Sequence, residues 1–139
     1  MTLPFSVQRI DHLVLRVEDL RKSIDFYETV LGCIVVKTMD HLGLVHLRAG
    51  ASMIDLISIN GALGRRGGAP AGATARNVDH FCLRIEPFAE PDLVLHLQRH
   101  GLAPLGKAEH NFGAEGDGPS LYFQDPDGNV IELKGPSVQ

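Results

Sequence analysis

The sequence predicts an α+β protein made of two tandem βαβββ modules, and three observations lead there. First, Ile10-Asp11-His12-Leu13-Val14-Leu15-Arg16-Val17-Glu18 recurs 68 residues later as Val78-Asp79-His80-Phe81-Cys82-Leu83-Arg84-Ile85-Glu86. An internal repeat at half the chain length is the mark of a duplicated structural unit. Second, Ile54-Asp55-Leu56 and Ile131-Glu132-Leu133 each place a carboxylate between two aliphatics near the end of an extended run. Third, the stretches between these markers carry a helical period followed by strand-like runs, in the same order in both halves. The 139 residues are expected to form a single domain over 1–139, with a first module at 8–60 and a second at 76–135.

Each element follows from local chemistry. The first strand begins at His12, with Leu13, Leu15 and Val17 alternating to one face. Asp19 is placed to cap a helix whose face carries Leu20, Ile24, Tyr27 and Leu31, and Gly32 stops it. Strand-like runs follow over Cys33 to Met39, Leu44 to Ala49 and Ser52 to Ile59. Asn60 to Asn77, rich in Gly, Ala and Arg, joins the halves. In the second half Pro91 suits a first helical turn, and Leu93, Leu97 and His100 mark the inner stripe as far as Gly101. Strands are expected near Ala103 to Ala108, Ser120 to Gln124 and Val130 to Lys134. Asp125-Pro126-Asp127-Gly128-Asn129 makes the last turn, and Gly106 to Pro119 reads as a Gly-rich connection.

Composition excludes several classes. The chain is 44% hydrophobic and 22% charged, with a formal net charge of −4, so it carries enough apolar material for a core. No block of basic residues supplies the footprint of a nucleic-acid binder. No apolar run approaches the ~20 residues of a membrane span, and the first residues have no export-signal pattern. Cys33 and Cys82 lie in apolar segments without a CxxC, as buried thiols of a reducing compartment do. A cytoplasmic location is expected.

Side-chain alternation gives the repeated residues a purpose. With Leu13, Leu15 and Val17 inward, His12, Val14 and Arg16 point the other way. Phe81, Leu83 and Ile85 divide from His80, Cys82 and Arg84 in the same manner. Ile131 and Leu133 leave Glu132 on the opposite face, as Ile54 and Leu56 leave Asp55. If a pseudo-two-fold axis relates the halves, His12, Asp55, His80 and Glu132 converge. Imidazole with carboxylate suits a divalent ion such as Fe, Ni, Co, Mn or Zn. A lone strand histidine is ordinarily just hydrogen-bonded; recurrence at matched positions with matched acids points to a metal. His41, His46, His96, His100 and His110 lack such a match and are read as ordinary histidines.

The pattern resembles the vicinal oxygen chelate superfamily of glyoxalases, bleomycin resistance proteins and dioxygenases. Three segments carry the likeness: Asp11 to Val17, Ser23-Ile24-Asp25-Phe26-Tyr27 running to Val30-Leu31-Gly32, and Tyr122 to Glu132. The resemblance implies a half-open barrel cleft, His12, His80 and Glu132 as metal ligands, and Asp55 at the place of a fourth, carboxylate ligand. The likeness is greatest to glyoxalase I. That implies a lyase or isomerase passing through an enediolate-type intermediate on a small oxygen-chelating substrate, with Glu132 as general base. Arg16 and Arg76 match the arginines that bind glutathione carboxylates there, so a glutathione adduct is the substrate implied. Ile59 and the surroundings of Gly118 depart from that pattern.

Three other readings stay open within the same superfamily. One is an extradiol-type dioxygenase built on His12, His80 and Glu132, which a fourth ligand at Asp55 disfavours. Another is a thiol transferase of the fosfomycin-resistance type, to which Ala114 to Phe123 bears a distant likeness. The third is a bleomycin-sequestering binding module, whose members usually lack the ligands kept here. Exposed sheet edges lead to the expectation of a homodimer.

Overall fold

A computed structural model describes residues 2–138 and divides the chain into two compact units, Met1–Pro70 and Ala71–Gln139. The first unit contains β1 (His12–Val17), α1 (Leu20–Thr29), β2 (Ile34–Met39), β3 (Leu44–Ala49) and β4 (Ser52–Ser58). Its open four-stranded sheet has the order β1-β4-β3-β2. β1 runs parallel to β4, which needs the long crossover containing α1, whereas β3 is antiparallel to both neighbours. The second unit repeats the plan with β5 (Phe81–Arg84), α2 (Glu90–Arg99), β6 (Glu109–Gly113), β7 (Gly116–Gln124) and β8 (Val130–Lys134), in the order β5-β8-β7-β6. Both halves are therefore βαβββ.

Alternation decides what each sheet buries. Leu15, Val17, Val45, Leu47, Ile54 and Leu56 form the core of the first unit, and Leu121, Phe123, Ile131 and Leu133 that of the second. Asp19 caps α1 by accepting from Lys22 N at 3.0 Å. The buried stripe of α1 is Ser23, Phe26 and Tyr27, rotated from the expected one; Leu20, Ile24 and Leu31 are half-buried. The β7–β8 turn is tied by Asp125, whose Oδ1 accepts from Asp127 N at 2.9 Å and Asn129 N at 2.8 Å.

One expected strand is displaced. Ala103 to Ala108 is not a strand, and β6 and β7 form a hairpin inside the stretch expected to be a loop. The reason is chemical: Glu109 to Gly113 and Gly116 to Pro119 carry no apolar alternation, so only backbone pairing, Glu109↔Ser120 through Gly113↔Gly116, defines them. Pro104 and Gly106 weaken the earlier segment as a strand. Cys82 is also a correction: Cys33 is buried, but Cys82 is exposed on the face opposite Leu83. Among the described residues no helix is long and apolar enough to cross a membrane.

Candidate metal centre

In the first unit His12 heads β1 and is exposed. Its Nδ1 donates to Asp11 Oδ2 at 2.9 Å, which fixes the tautomer and turns the Nε2 lone pair to whatever the ring faces. That bond raises the His12 pKa, with a smaller contribution from the charge of Asp55, and lowers that of Asp11. Asp55 is 5% exposed on β4, opposite Val14 on β1 and His46 on β3. His46 Nδ1 lies 3.0 Å from Asp55 Oδ1. The approach is short but badly directed for a hydrogen bond, and this buried oxygen has no hydrogen-bond partner among the described residues. A buried carboxylate oxygen without a donor is costly unless a cation meets it. Protonated His46 is one cation that meets it, and an imidazole–carboxylate donor set is also of the kind that suits a divalent ion. His46 has no repeat-matched acid in the sequence. The signal available was its place between the inward-facing Val45 and Leu47, opposite the run that holds Asp55.

The second unit repeats the dyad and completes it. His80 Nδ1 donates to Asp79 Oδ2 at 2.7 Å, and its Nε2 lies 3.1 Å from Glu132 Oε1. Asp79 and, secondarily, Glu132 raise the His80 pKa against the opposing effect of burial. Glu132 is 5% exposed and Ser120 fully buried; Ser120 Oγ donates to Glu132 Oε2 at 2.5 Å. Tyr122, opposite Glu132 on β7, sets its ring edge to His80 with centroids 5.5 Å apart. Desolvation, then a hydrogen bond to Glu132, pushes the Tyr122 phenol up to about 12. Cys82 flanks Glu132 on β5. Partial desolvation and the carboxylate push its thiol up to about 11, so it is a thiol at neutral pH. Asp11, Asp79, Ser120 and Tyr122 are further functional candidates, recognised by their contacts with His12, His80 and Glu132. The two aspartates were legible in the repeat itself.

The structure thus brings His80 and Glu132 into contact, and sets His12 and Asp55 on one face of the first sheet. Among the described residues no three His, Cys, Asp or Glu side chains gather as a ready-made metal cluster. The two predicted arginines are engaged within their own units. Arg16 donates to the carbonyls of Gly64 at 2.8 Å, Gly68 at 2.5 Å and Ala69 at 3.2 Å. Arg76 donates to Asp127 O at 2.6 Å and Asn129 Oδ1 at 3.2 Å. A guanidinium has about five N–H donors, so each keeps some for a ligand.

The profile of the Glyoxalase/Bleomycin resistance protein/Dioxygenase superfamily matches residues 9–133. Virulence protein STM3117 of Salmonella typhimurium is 32% identical over 127 residues, covering 91% of this chain and 83% of that protein. Glyoxalase domain-containing protein RDO1 of Mycosarcoma maydis is 34% identical over 128 residues, covering 92% of this chain and 68% of that protein. The structure of integron cassette protein VCH_CASS1 from the mobile metagenome of V. cholerae superposes with a TM-score of 0.76 at 29% identity, over 97% of this chain and 100% of that one.

Proposed function

Because the chain belongs to the Glyoxalase/Bleomycin resistance protein/Dioxygenase superfamily, we propose that it is a divalent-metal-dependent lyase or isomerase of the glyoxalase I kind. In this reading His12, Asp55, His80 and Glu132 would hold the ion, one of Ni, Co, Zn, Mn or Fe. The observation that carries this reading is the pair in the second unit. His80 has Nδ1 tied to Asp79 and presents Nε2 at 3.1 Å from a carboxylate oxygen of Glu132. A histidine oriented by a carboxylate on its far nitrogen is the usual arrangement of a metal-binding imidazole. When bound, the ion supplies Lewis-acid polarisation of adjacent substrate oxygens.

The protein's own residues do the rest. Ser120 holds Glu132 Oε2, so Oε1 is the oxygen free to change partners. Glu132 moves the proton of the isomerisation at Oε1, accepting it from one substrate carbon and returning it to the next. Tyr122 and Cys82, both protonated near neutral pH, flank the carboxylate without competing for that proton. Arg16 and Arg76 use their remaining N–H groups on a carboxylate-bearing substrate, for which a glutathione adduct is the candidate. The buried, donorless oxygen of Asp55 supports a fourth ligand and so weighs against an extradiol dioxygenase. The free thiols Cys33 and Cys82 accord with a cytoplasmic setting. A single functional domain over 1–139 and a homodimer complete the proposal.

The test loads the chelator-stripped protein with Ni, Co, Zn, Mn or Fe(II) and supplies the hemithioacetal of methylglyoxal and glutathione. Thioester formation under at least one metal is expected. Oxygen uptake with a catechol and Fe(II), with no thioester under any metal, would replace this reading with the dioxygenase one.

A further inference from the structure

Lys134 is a lysine buried to 6% exposure, two residues beyond Glu132 on β8. Residues two apart share a face of a strand, roughly 7 Å from one another. Strand pairing therefore makes two ranks across this face. Cys82, Glu132 and Tyr122 form one, and Arg84, Lys134 and Ser120 form the next. Lys134 Nζ donates to Gly116 O at 3.0 Å, which uses one of about three ammonium donors. Among the described residues Nζ makes no ion pair with a carboxylate. The hairpin is cut away to admit it. A Cβ at Gly113 would stand 3.0 Å from Lys134 Cε, and one at Gly118 would stand 2.9 Å from Nζ.

The fold does not require a cation here. In the first unit the corresponding position is Ile57, which pairs with Arg16 and Leu44 as Lys134 pairs with Arg84 and Ser120. Burying an ammonium without a counter-ion is costly, so this departure from the repeat points to something the lysine meets. A cavity of about 330 Å³ opens beside it, lined by His80, Arg84, Glu115, Glu132 and Lys134 among others. Arg84 is paired by two carboxylates, Glu115 at 3.2 Å from Nε to each oxygen and Glu86 Oε1 at 3.2 Å from Nη2, while its Nη1 donates to Ile85 O at 2.6 Å. Glu115 sits at the β6–β7 turn with its side chain 54% exposed, an internal carboxylate held against the arginine that faces the cavity.

We propose that Lys134 and Arg84 form an anion subsite that takes a carboxylate or phosphonate group of the substrate, one strand step from Glu132. Glu115 and Glu86 compete with that group for Arg84, and of the two only Glu115 lines the cavity. The subsite deepens the proposed function, since it rests on His80 and Glu132 facing substrate, but it does not depend on a bound metal. Ammonium and guanidinium side by side suit an oxyanion, one as a point charge and the other as a planar donor fork.

The experiment uses the full, metal-free chain titrated with methylphosphonate and with acetate, followed by two-dimensional amide NMR. Saturable binding of at least one, with shifts at Gly113, Gly116 and Gly118, is expected. Lys134→Met, which mimics the apolar residue of the first unit, should weaken binding about tenfold or more while thermal unfolding shows a folded protein. Glu115→Gln should tighten it several-fold, a direction that general damage to the fold does not produce. No saturable binding to the wild type, or equal binding to Lys134→Met, overturns the subsite. Divalent-metal titration of the same proteins separates the two ideas. Lys134→Met should load metal as the wild type does, and metal binding that is absent from both would sink the metal reading while leaving the anion result intact.

Discussion

Ser120 Oγ and Glu132 Oε2 are 2.5 Å apart with both side chains buried, so one oxygen of the proposed proton carrier is pinned from inside the sheet. Removing that hydroxyl leaves a buried carboxylate oxygen short of a donor, at a cost of about 1–3 kcal/mol. Ser120→Ala should lower stability to denaturant by that order. A loss within a few tenths of a kcal/mol would show that Glu132 finds another donor.

Glu132→Gln separates two duties. The amide keeps an oxygen for a metal but cannot accept a proton near neutral pH. Some metal should remain bound while turnover falls by roughly 10²–10⁴-fold, the usual loss with a general base. Turnover unchanged in the loaded variant would assign the proton transfer elsewhere.

Backbone crowding makes a third prediction. A Cβ on Gly64 would stand 1.8 Å from Ser58 O, whereas one on Gly72 meets nothing within 4 Å. Gly64 O is also the acceptor of Arg16 Nε at 2.8 Å. Gly64→Ala should cost more than about 3 kcal/mol, among the large single-residue effects, and should release Arg16. Gly72→Ala should be nearly neutral or slightly stabilising. Thermal melts of the two variants side by side check this, and equal melts would refute it.

Burial pushes the Cys33 thiol up to about 11, from 9.0. Between those values the unfolded chain gives up the thiol proton and the folded chain keeps it, so stability falls as pH rises through that window and levels off above it. The loss is on the order of 2 kcal/mol. Urea unfolding from pH 8 to 11 should show wild type losing more stability than Cys33→Ala. Parallel curves would mean that Cys33 titrates normally.

The sequence exposed whatever rests on apolar alternation or on a repeated polar residue. The strand headed by His12, the strand that follows His80, the acids on β4 and β8, and the Asp19 cap are of that kind. The β6–β7 hairpin was hidden because Glu109 to Gly113 has no apolar period; its pairing is made by backbone groups that every residue possesses. His46 was hidden because its acid lies on the next strand, across a register that only the fold reveals. Lys134 looked like the charged end of a strand, and its burial depends on glycines 16 to 21 residues earlier.

The most direct test of the central claim is calorimetric titration of a divalent ion into the chelator-stripped protein, repeated on His12→Ala, His80→Ala and Glu132→Ala. In the proposed site each residue would contribute one donor, so its loss would remove one arm. The account predicts one ion per chain in the wild type and loss of stoichiometric binding in each variant, with Asp55→Ala weakened to a smaller degree. Full occupancy with wild-type affinity in any of the first three would contradict it.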